Sequence, residues 1–175
     1  MKNRKVVWKA LTALQEEYEA KWLAEMSLEG WHLIKYSPFR YTFEKGQPKE
    51  YVYKFDYQTQ LKDKESYLQI FEDAGWEYIL EYMGWQFFRC QPDNVVVPEL
   101  FTDDESRIAK YLRLIRILGS VYIMIILISV TIVFNPHNMQ SGRWPLKLIY
   151  SLMLVLYTYI LAGLYLRIKE IKKRV

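Results

Sequence analysis

The chain has one cysteine and two histidines in 175 residues. That scarcity excludes an internal disulfide and leaves no Cys/His spacing suited to zinc. Cys90 ends the segment WQFFRC, where a small buried side chain is a better reading than a reactive thiol. There are seven glycines, but no glycine-rich loop follows a strand, so phosphate cradling is unsupported. Charge is missing from two long stretches, Ile117–Phe134 and Leu148–Leu166. About 18 consecutive apolar residues is the length of a helix that crosses a bilayer. A buried helix pair of that length in a soluble core normally keeps a polar face, which neither stretch has. The N-terminal MKNRKVVWKALTALQEEYEA lacks an apolar run of signal-peptide length, so no cleaved leader is expected.

The net charge of +4 hides two opposite halves. Residues 1–105 carry 13 Lys/Arg against 19 Asp/Glu, a net of −6, and residues 106–175 carry 11 against Glu170 alone, a net of +10. An acidic head repels phosphate backbones, so nucleic acid is not an expected partner. The cations flank the apolar stretches: Arg107, Lys110, Arg113 and Arg116 precede the first, and Arg167, Lys169, Lys172, Lys173 and Arg174 follow the second. The loop between holds only Arg143 and Lys147. The positive-inside rule then places both ends in the cytoplasm of a multi-pass protein of the cell membrane. His32 and His137 fall on opposite sides of the bilayer in that topology.

Three segments are expected: a cytoplasmic α+β domain over 1–91, a linker over 92–106 with Pro92 and Pro98, and a transmembrane hairpin over 107–175 with spans of about 117–134 and 148–166. Thr102 and Glu105 have capping-box spacing, which starts a helix there. A helix continuous to Phe134 is one outcome, and a hinge at Gly119–Ser120 the other. Tyr157, near the middle of the second span, needs a hydroxyl partner, for which Ser129, Thr131 or a backbone carbonyl is available. Ala162–Gly163, Ser151 and Gly119–Ser120 leave room for close helix contact and for a homo-oligomer.

Within the head, Lys5–Ala10 reads as a strand or as the approach to the helix behind it. Leu14, Tyr18, Trp22 and Met26 step by three and four, the pattern of an amphipathic helix that leaves Glu16, Glu17, Glu19 and Glu25 on other faces. Gly30 ends it in the left-handed position that suits a residue without Cβ. Strands WHLIKY, RYTFEK and EYVYKFDYQ follow, separated by Ser-Pro and Gly-Gln-Pro turns. A second helix, 63–74, places Tyr67, Ile70, Phe71 and Ala74 on one side and also ends in Gly-Trp, at Gly75–Trp76, before WEYILEYM and WQFFRC. The pairs Leu23/Leu68, Met26/Phe71, Gly30/Gly75 and Trp31/Trp76 share an offset of 45 residues, an internal helix–Gly–Trp–strand repeat. The expected fold is an antiparallel sheet with both helices on one face, in a ferredoxin-like order carrying an extra hairpin. Trp22, Gly30, Trp31, Gly75, Trp76 and Trp85 form its structural signature.

Alternation assigns the faces. Tyr41 and Phe43, then Tyr51, Tyr53, Phe55 and Tyr57, then Trp76, Tyr78, Leu80 and Tyr82 are expected beneath the helices. The opposite side carries Thr42, Glu44, Val52, Lys54, Asp56, Glu77, Ile79 and Glu81. Of these, Glu44, Lys54, Asp56, Glu77 and Glu81 are the candidate binding face, because paired carboxylates do acid–base work when their environments separate their pKa values. A solvated face is the plainer alternative. RNA-binding sheets put aromatics on the open face, the reverse of this pattern. No catalytic, cofactor-binding or metal residue is identified, and no cofactor is expected.

The segments EYEAKWLAEMSLEGWHL, Phe43–Gly46 (F-x-K-G), Tyr53–Asp56 (Y-x-F-D), YLQIFEDAGWE and WQFFRC resemble the bacterial membrane family catalogued as domain of unknown function 2812, over about residues 14–90. The resemblance implies a bacterial cytoplasmic membrane protein with no established activity and no defined catalytic residues. It also implies a regulatory or envelope-stress role, since members are often encoded beside PadR-like regulators. The expected function is a membrane-anchored sensing or scaffolding module, regulatory and non-enzymatic, with the lipid bilayer and a protein of the cytoplasm or membrane as partners. The alternatives are a small-ligand receptor or enzyme using the polar sheet face, and an accessory subunit of a membrane transporter.

Overall fold

The computed structural model describes residues 3–59, 63–92, 104–134 and 144–174. The chain divides into two compact units, Met1–Asp103 and Asp104–Val175. The first unit runs β1 (Arg4–Trp8), a single 3-10 turn (Ala13–Gln15), α1 (Glu16–Leu28), β2 (Trp31–Ser37), β3 (Arg40–Lys45), β4 (Val52–Tyr57), α2 (Lys64–Asp73), β5 (Glu77–Tyr82) and β6 (Trp85–Cys90). The second consists of α3 (Asp104–Phe134) and α4 (Trp144–Arg174).

The one sheet expected from the sequence is instead two three-stranded antiparallel sheets, β1-β3-β2 and β4-β6-β5. The strands that approach each other, β2 and β5, both carry a register shift, at Leu33/Lys35 and at Tyr78/Leu80. A bulge leaves backbone groups unpaired and twists the edge, so the ladder does not pass from one sheet to the next.

Each sheet belongs to a βαββ unit, and the units repeat more closely than their sequences suggest. β3 and β6 match at an offset of 45 residues, as do the two bulges and the glycines after the helices. Gly30 (φ 78°) and Gly75 (φ 83°) both take the left-handed conformation. At α2 the cap is a full Schellman motif: Gly75 N–H donates to the Glu72 carbonyl and Trp76 N–H to that of Phe71, both at 2.8 Å. The first strands and the helix starts break the offset: Trp8 and Tyr57, paired with Arg40 and Trp85 respectively, lie 49 apart, and Glu16 and Lys64, which open the helices, lie 48 apart. The first unit thus has four more residues between its opening strand and its helix end.

The two units share one core of Leu23, Met26, Leu33, Tyr41, Phe43, Tyr51, Tyr53, Phe55 and Phe87, with Ser27 of α1 hydrogen-bonded to Tyr53 of β4 at 2.6 Å. A smaller cluster of Trp76, Phe88 and Cys90 lies with Tyr67, Leu68 and Phe71 of α2. Both helix stripes differ from expectation. Tyr18 is exposed, and Leu23, Met26 and Ser27 are the buried residues of α1. Ile70 is exposed, and Leu68 takes its place beside Tyr67 and Phe71. The polar side of β4 is no open face either. Val52 and Asp56 lie toward α2 while Tyr53 and Phe55 enter the shared core, so of the polar side of β4 Lys54 is the exposed residue.

Helices α3 and α4 are 31 residues each, about 46 Å at 1.5 Å per residue. Helix α3 runs unbroken through Gly119–Ser120, and Ser120 Oγ donates to the Ile117 carbonyl at 2.8 Å. Helix α4 begins at Trp144, earlier than the expected span. Both are long and apolar enough to cross a membrane, with mean hydropathies of 2.2 and 1.8. Only 17% and 6% of their apolar windows are buried, unlike core helices of a soluble protein. Tyr157 does not meet Ser129 or Thr131, whose hydroxyls donate to Ile125 and Ile128 carbonyls of their own helix, as Ser and Thr do in helices. Its ring stacks on Tyr122 at 6.3 Å. Thr158 Oγ1 donates to the Leu154 carbonyl, leaving Tyr122 to donate to Thr158 at 2.7 Å. Most of the expected linker, Thr102 of its capping box, His137 and Arg143 lie outside the described residues.

Candidate functional site

The five polar residues picked from alternation do not converge. Glu44 lies on β3 of the first sheet and the other four on the second. Asp56 is 1% exposed and accepts hydrogen bonds from the Tyr57 N–H (2.7 Å) and the Tyr67 hydroxyl (2.9 Å). Glu77 is clasped by Arg89 through two hydrogen bonds, with Nε at 2.8 Å, which holds its carboxyl below the usual range. Glu81 pairs with Lys64 of α2 at 2.8 Å and is lowered in the same way. Lys54 is exposed. The bulge in β5 explains the scatter. It gives Tyr78 to Phe88 and Leu80 to Phe87 across the ladder, so Glu77 and Glu81 no longer share a side.

A different carboxylate stands out. Glu19 lies four residues before Leu23 and seven before Met26, on the buried stripe of α1. Its Oε1 accepts a 2.8 Å hydrogen bond from the Tyr41 hydroxyl. Among the described residues its Oε2 accepts none and no ion pair reaches it. Burial raises its pKa to about 7, with the Glu16 charge adding to the shift and the Tyr41 hydrogen bond and Lys9 opposing it. Burial and then the Glu19 charge push the Tyr41 hydroxyl far up, and the same two causes raise Tyr36. Glu19 lines a cavity of about 70 Å³ walled by Leu11, Thr12, Ala13, Glu16, Tyr36, Phe55, Trp85 and Phe87. A carboxyl that titrates near neutrality in an aromatic cavity is suited to exchange a proton or bind a polar ligand.

The sequence contained the signal for this site. A glutamate at i−4 and i−7 from two core residues sits on the core side of its helix, but the stripe drawn through Tyr18 turned that face outward. The repeat sharpens the contrast. Glu19, Tyr36 and Tyr41 match Lys64, Glu81 and Gln86 at the offset of 45. The second unit closes those positions with the Lys64–Glu81 pair, and the first leaves an acid facing aromatic rings.

The signature residues are structural, and they explain the motif spacing. Gly46 donates to the Gly30 carbonyl at 2.8 Å, and a Cβ on Gly30 would meet the Gly46 oxygen at 2.6 Å. The chain crossing behind W-L-x-x-M-x-x-x-G-W and F-x-K-G therefore requires a glycine at Gly30. A family model described as protein of unknown function (DUF2812) matches residues 15–125. The chain belongs to this family. The DUF2812 match opens at the start of α1, takes in both glycines, Glu19 and all of β2–β6, and extends into α3, leaving Leu11, Thr12 and Ala13 of the cavity wall before it. No curated protein and no solved structure matches the chain.

The remaining signature residues expected from the sequence have distinct settings. Trp22 packs edge-on against Tyr41 at 4.9 Å and Phe43 at 5.7 Å. Trp31 carries the ammonium groups of Lys5 and Lys45 over its ring. Trp76 is buried with Phe88, and Trp85 forms one wall of the cavity. His32 bonds through Nε2 to the Gln47 carbonyl at 2.8 Å, and Cys90 is buried. Among the described residues no three His, Cys, Asp or Glu side chains gather as a metal site.

Proposed function

We propose that this DUF2812 protein is a membrane-anchored cytoplasmic sensing module, regulatory and non-enzymatic, whose receptor site is the cavity at Glu19. The observation that carries the reading is the Glu19 carboxyl, which lines an aromatic-walled cavity with one oxygen bonded to Tyr41 and no ion pair among the described residues. Helices α3 and α4 anchor the module in the cell membrane, with the N- and C-termini on the cytoplasmic side where the flanking Lys and Arg lie. The expected partner is a protein of the cytoplasm or membrane that reads the occupied state. The full-length protein in detergent, screened by thermal unfolding against small cations, anions and neutral compounds, tests the receptor. At least one chemical class is expected to raise the Tm of the wild type but not of Ala13→Phe, which fills the cavity. A panel that never separates the two proteins overturns the reading.

A scaffolding role has its own support in the outer face of the first sheet. Trp8 is 70% exposed there with the Arg40 guanidinium over its ring, beside exposed Val6. Exposed aromatic and arginine groups together are enriched where proteins meet. Trp8→Ala is expected to lose a captured partner while leaving ligand-induced Tm shifts intact.

A further inference from the structure

We propose that the Glu19 cavity takes a small organic ammonium ion, its charge held by the Glu19 carboxylate and its carbon chain by the rings of Tyr36, Phe55, Trp85 and Phe87. This rests on the receptor reading above and names the ligand class for the same site.

Sign comes first. The ionisable carboxylates lining the cavity are Glu16 and Glu19, and no cationic side chain stands among the described lining residues. The Lys9 ammonium is engaged over the Tyr18 and Trp22 rings at 4.5 and 4.2 Å. An anion entering here meets like charge, whereas a cation meets a carboxylate and the negative faces of aromatic rings. Size comes next. About 70 Å³ is well below the roughly 150 Å³ of a cavity that encloses benzene, so the site fits an ammonium head and a short chain rather than a drug-sized molecule.

The repeat supplies an internal precedent. At the matching positions of the second unit, the Lys64 ammonium bonds Glu81 at 2.8 Å and lies over the Tyr78 ring at 5.3 Å. The chain thus already builds an ammonium–carboxylate–aromatic arrangement at this point of the βαββ fold. In the first unit the lysine position is Glu19 itself, and the nearby Lys9 ammonium is held over the Tyr18 and Trp22 rings without an ion pair to Glu19 among the described residues.

Binding is coupled to protons. The groups facing Glu19 are Tyr41 from β3, Tyr36 from β2, Lys9 beyond β1 and Glu16 on its own helix. Below about pH 7 the carboxyl keeps its proton, and an incoming ammonium has to displace it, so affinity rises with pH and levels off above that value.

The test titrates full-length protein in non-ionic detergent with ethylammonium, ethanol and acetate, followed by tryptophan fluorescence. Expected are about tenfold tighter binding of ethylammonium than of the other two at about pH 8, weaker binding at about pH 6, and loss of a protonated-carboxyl infrared band on binding at the lower pH. Glu19→Gln is expected to lose the ammonium preference and the band but to retain ethanol. Ethanol or acetate binding as well as ethylammonium to the wild type overturns the ammonium assignment and leaves the cavity a receptor. No binding by any of the three overturns the ammonium assignment, while the receptor reading stands or falls with the thermal-unfolding panel. Both comparisons use wild-type protein and do not depend on folding of the variant.

Discussion

Glu19 is ionised in the unfolded chain at a pH where the folded chain still holds its proton. Its pKa rises from 4.5 to about 7 on folding, so the folded state binds more protons across that interval. Stability is then greatest below pH 4.5 as far as this group is concerned, falls as pH rises, and levels off above about 7. Two to three pKa units correspond to about 3 kcal/mol. Glu19→Gln keeps a hydrogen-bonding oxygen for Tyr41 and removes the ionisation. Its Tm is expected to vary much less than the wild type's between about pH 5 and pH 8, measured by circular dichroism. A wild-type slope preserved in the variant assigns the pH dependence elsewhere. This residue was readable in principle, because its spacing to Leu23 and Met26 is visible in the sequence. It was misplaced because Tyr18, an aromatic residue with the same helical spacing to Trp22, looked like core, yet its ring is solvent-exposed under the Lys9 ammonium.

At the scale of elements, segment identity was legible and the relations between segments were not. β3 and β6 run over the segments that alternation and turn residues mark, and α2 is bounded by Asp63, whose carboxylate caps the Ser66 N–H at 3.0 Å, and Ala74. The bulges at Leu33/Lys35 and Tyr78/Leu80 have no signature in side-chain type, and each moves half of a strand to the other face. That is why the aromatic alternation of β5 misled and why one sheet became two. Gly30 carries a sharper expectation. A methyl group there meets both a positive φ and the Gly46 carbonyl oxygen at 2.6 Å. Gly30→Ala is expected to lower stability by about 1–3 kcal/mol in denaturant titration. Gly119→Ala, with nothing within 4 Å of its added carbon, is expected to be near neutral within the chain.

For the whole molecule, the decisive contrast lies between an acidic head and two largely uncovered apolar helices. Full-length protein is expected to stay with membranes through high-speed centrifugation and alkaline carbonate washing, and to leave only with detergent. Recovery in the supernatant without detergent counts against anchorage. On the orientation proposed above, protease added to intact cells is expected to spare residues 1–105. Composition made the two long apolar helices legible because hydrocarbon solubility depends on residue type and length, not on tertiary detail. The cavity depends on how two halves of the head close over one another, which composition does not encode.

The four extra residues of the first βαββ unit have a historical consequence. Three of them lengthen α1 itself, 13 residues against the 10 of α2, adding the turn that brings Glu16 to the cavity wall, while the shorter copy ends in a lysine–glutamate clasp. A chain that arose by tandem duplication would have begun with two equivalent halves. On that account the difference in length let one copy open a cavity where its twin closed a salt bridge, so trimming the first turn of α1 should return the head toward its symmetric ancestor.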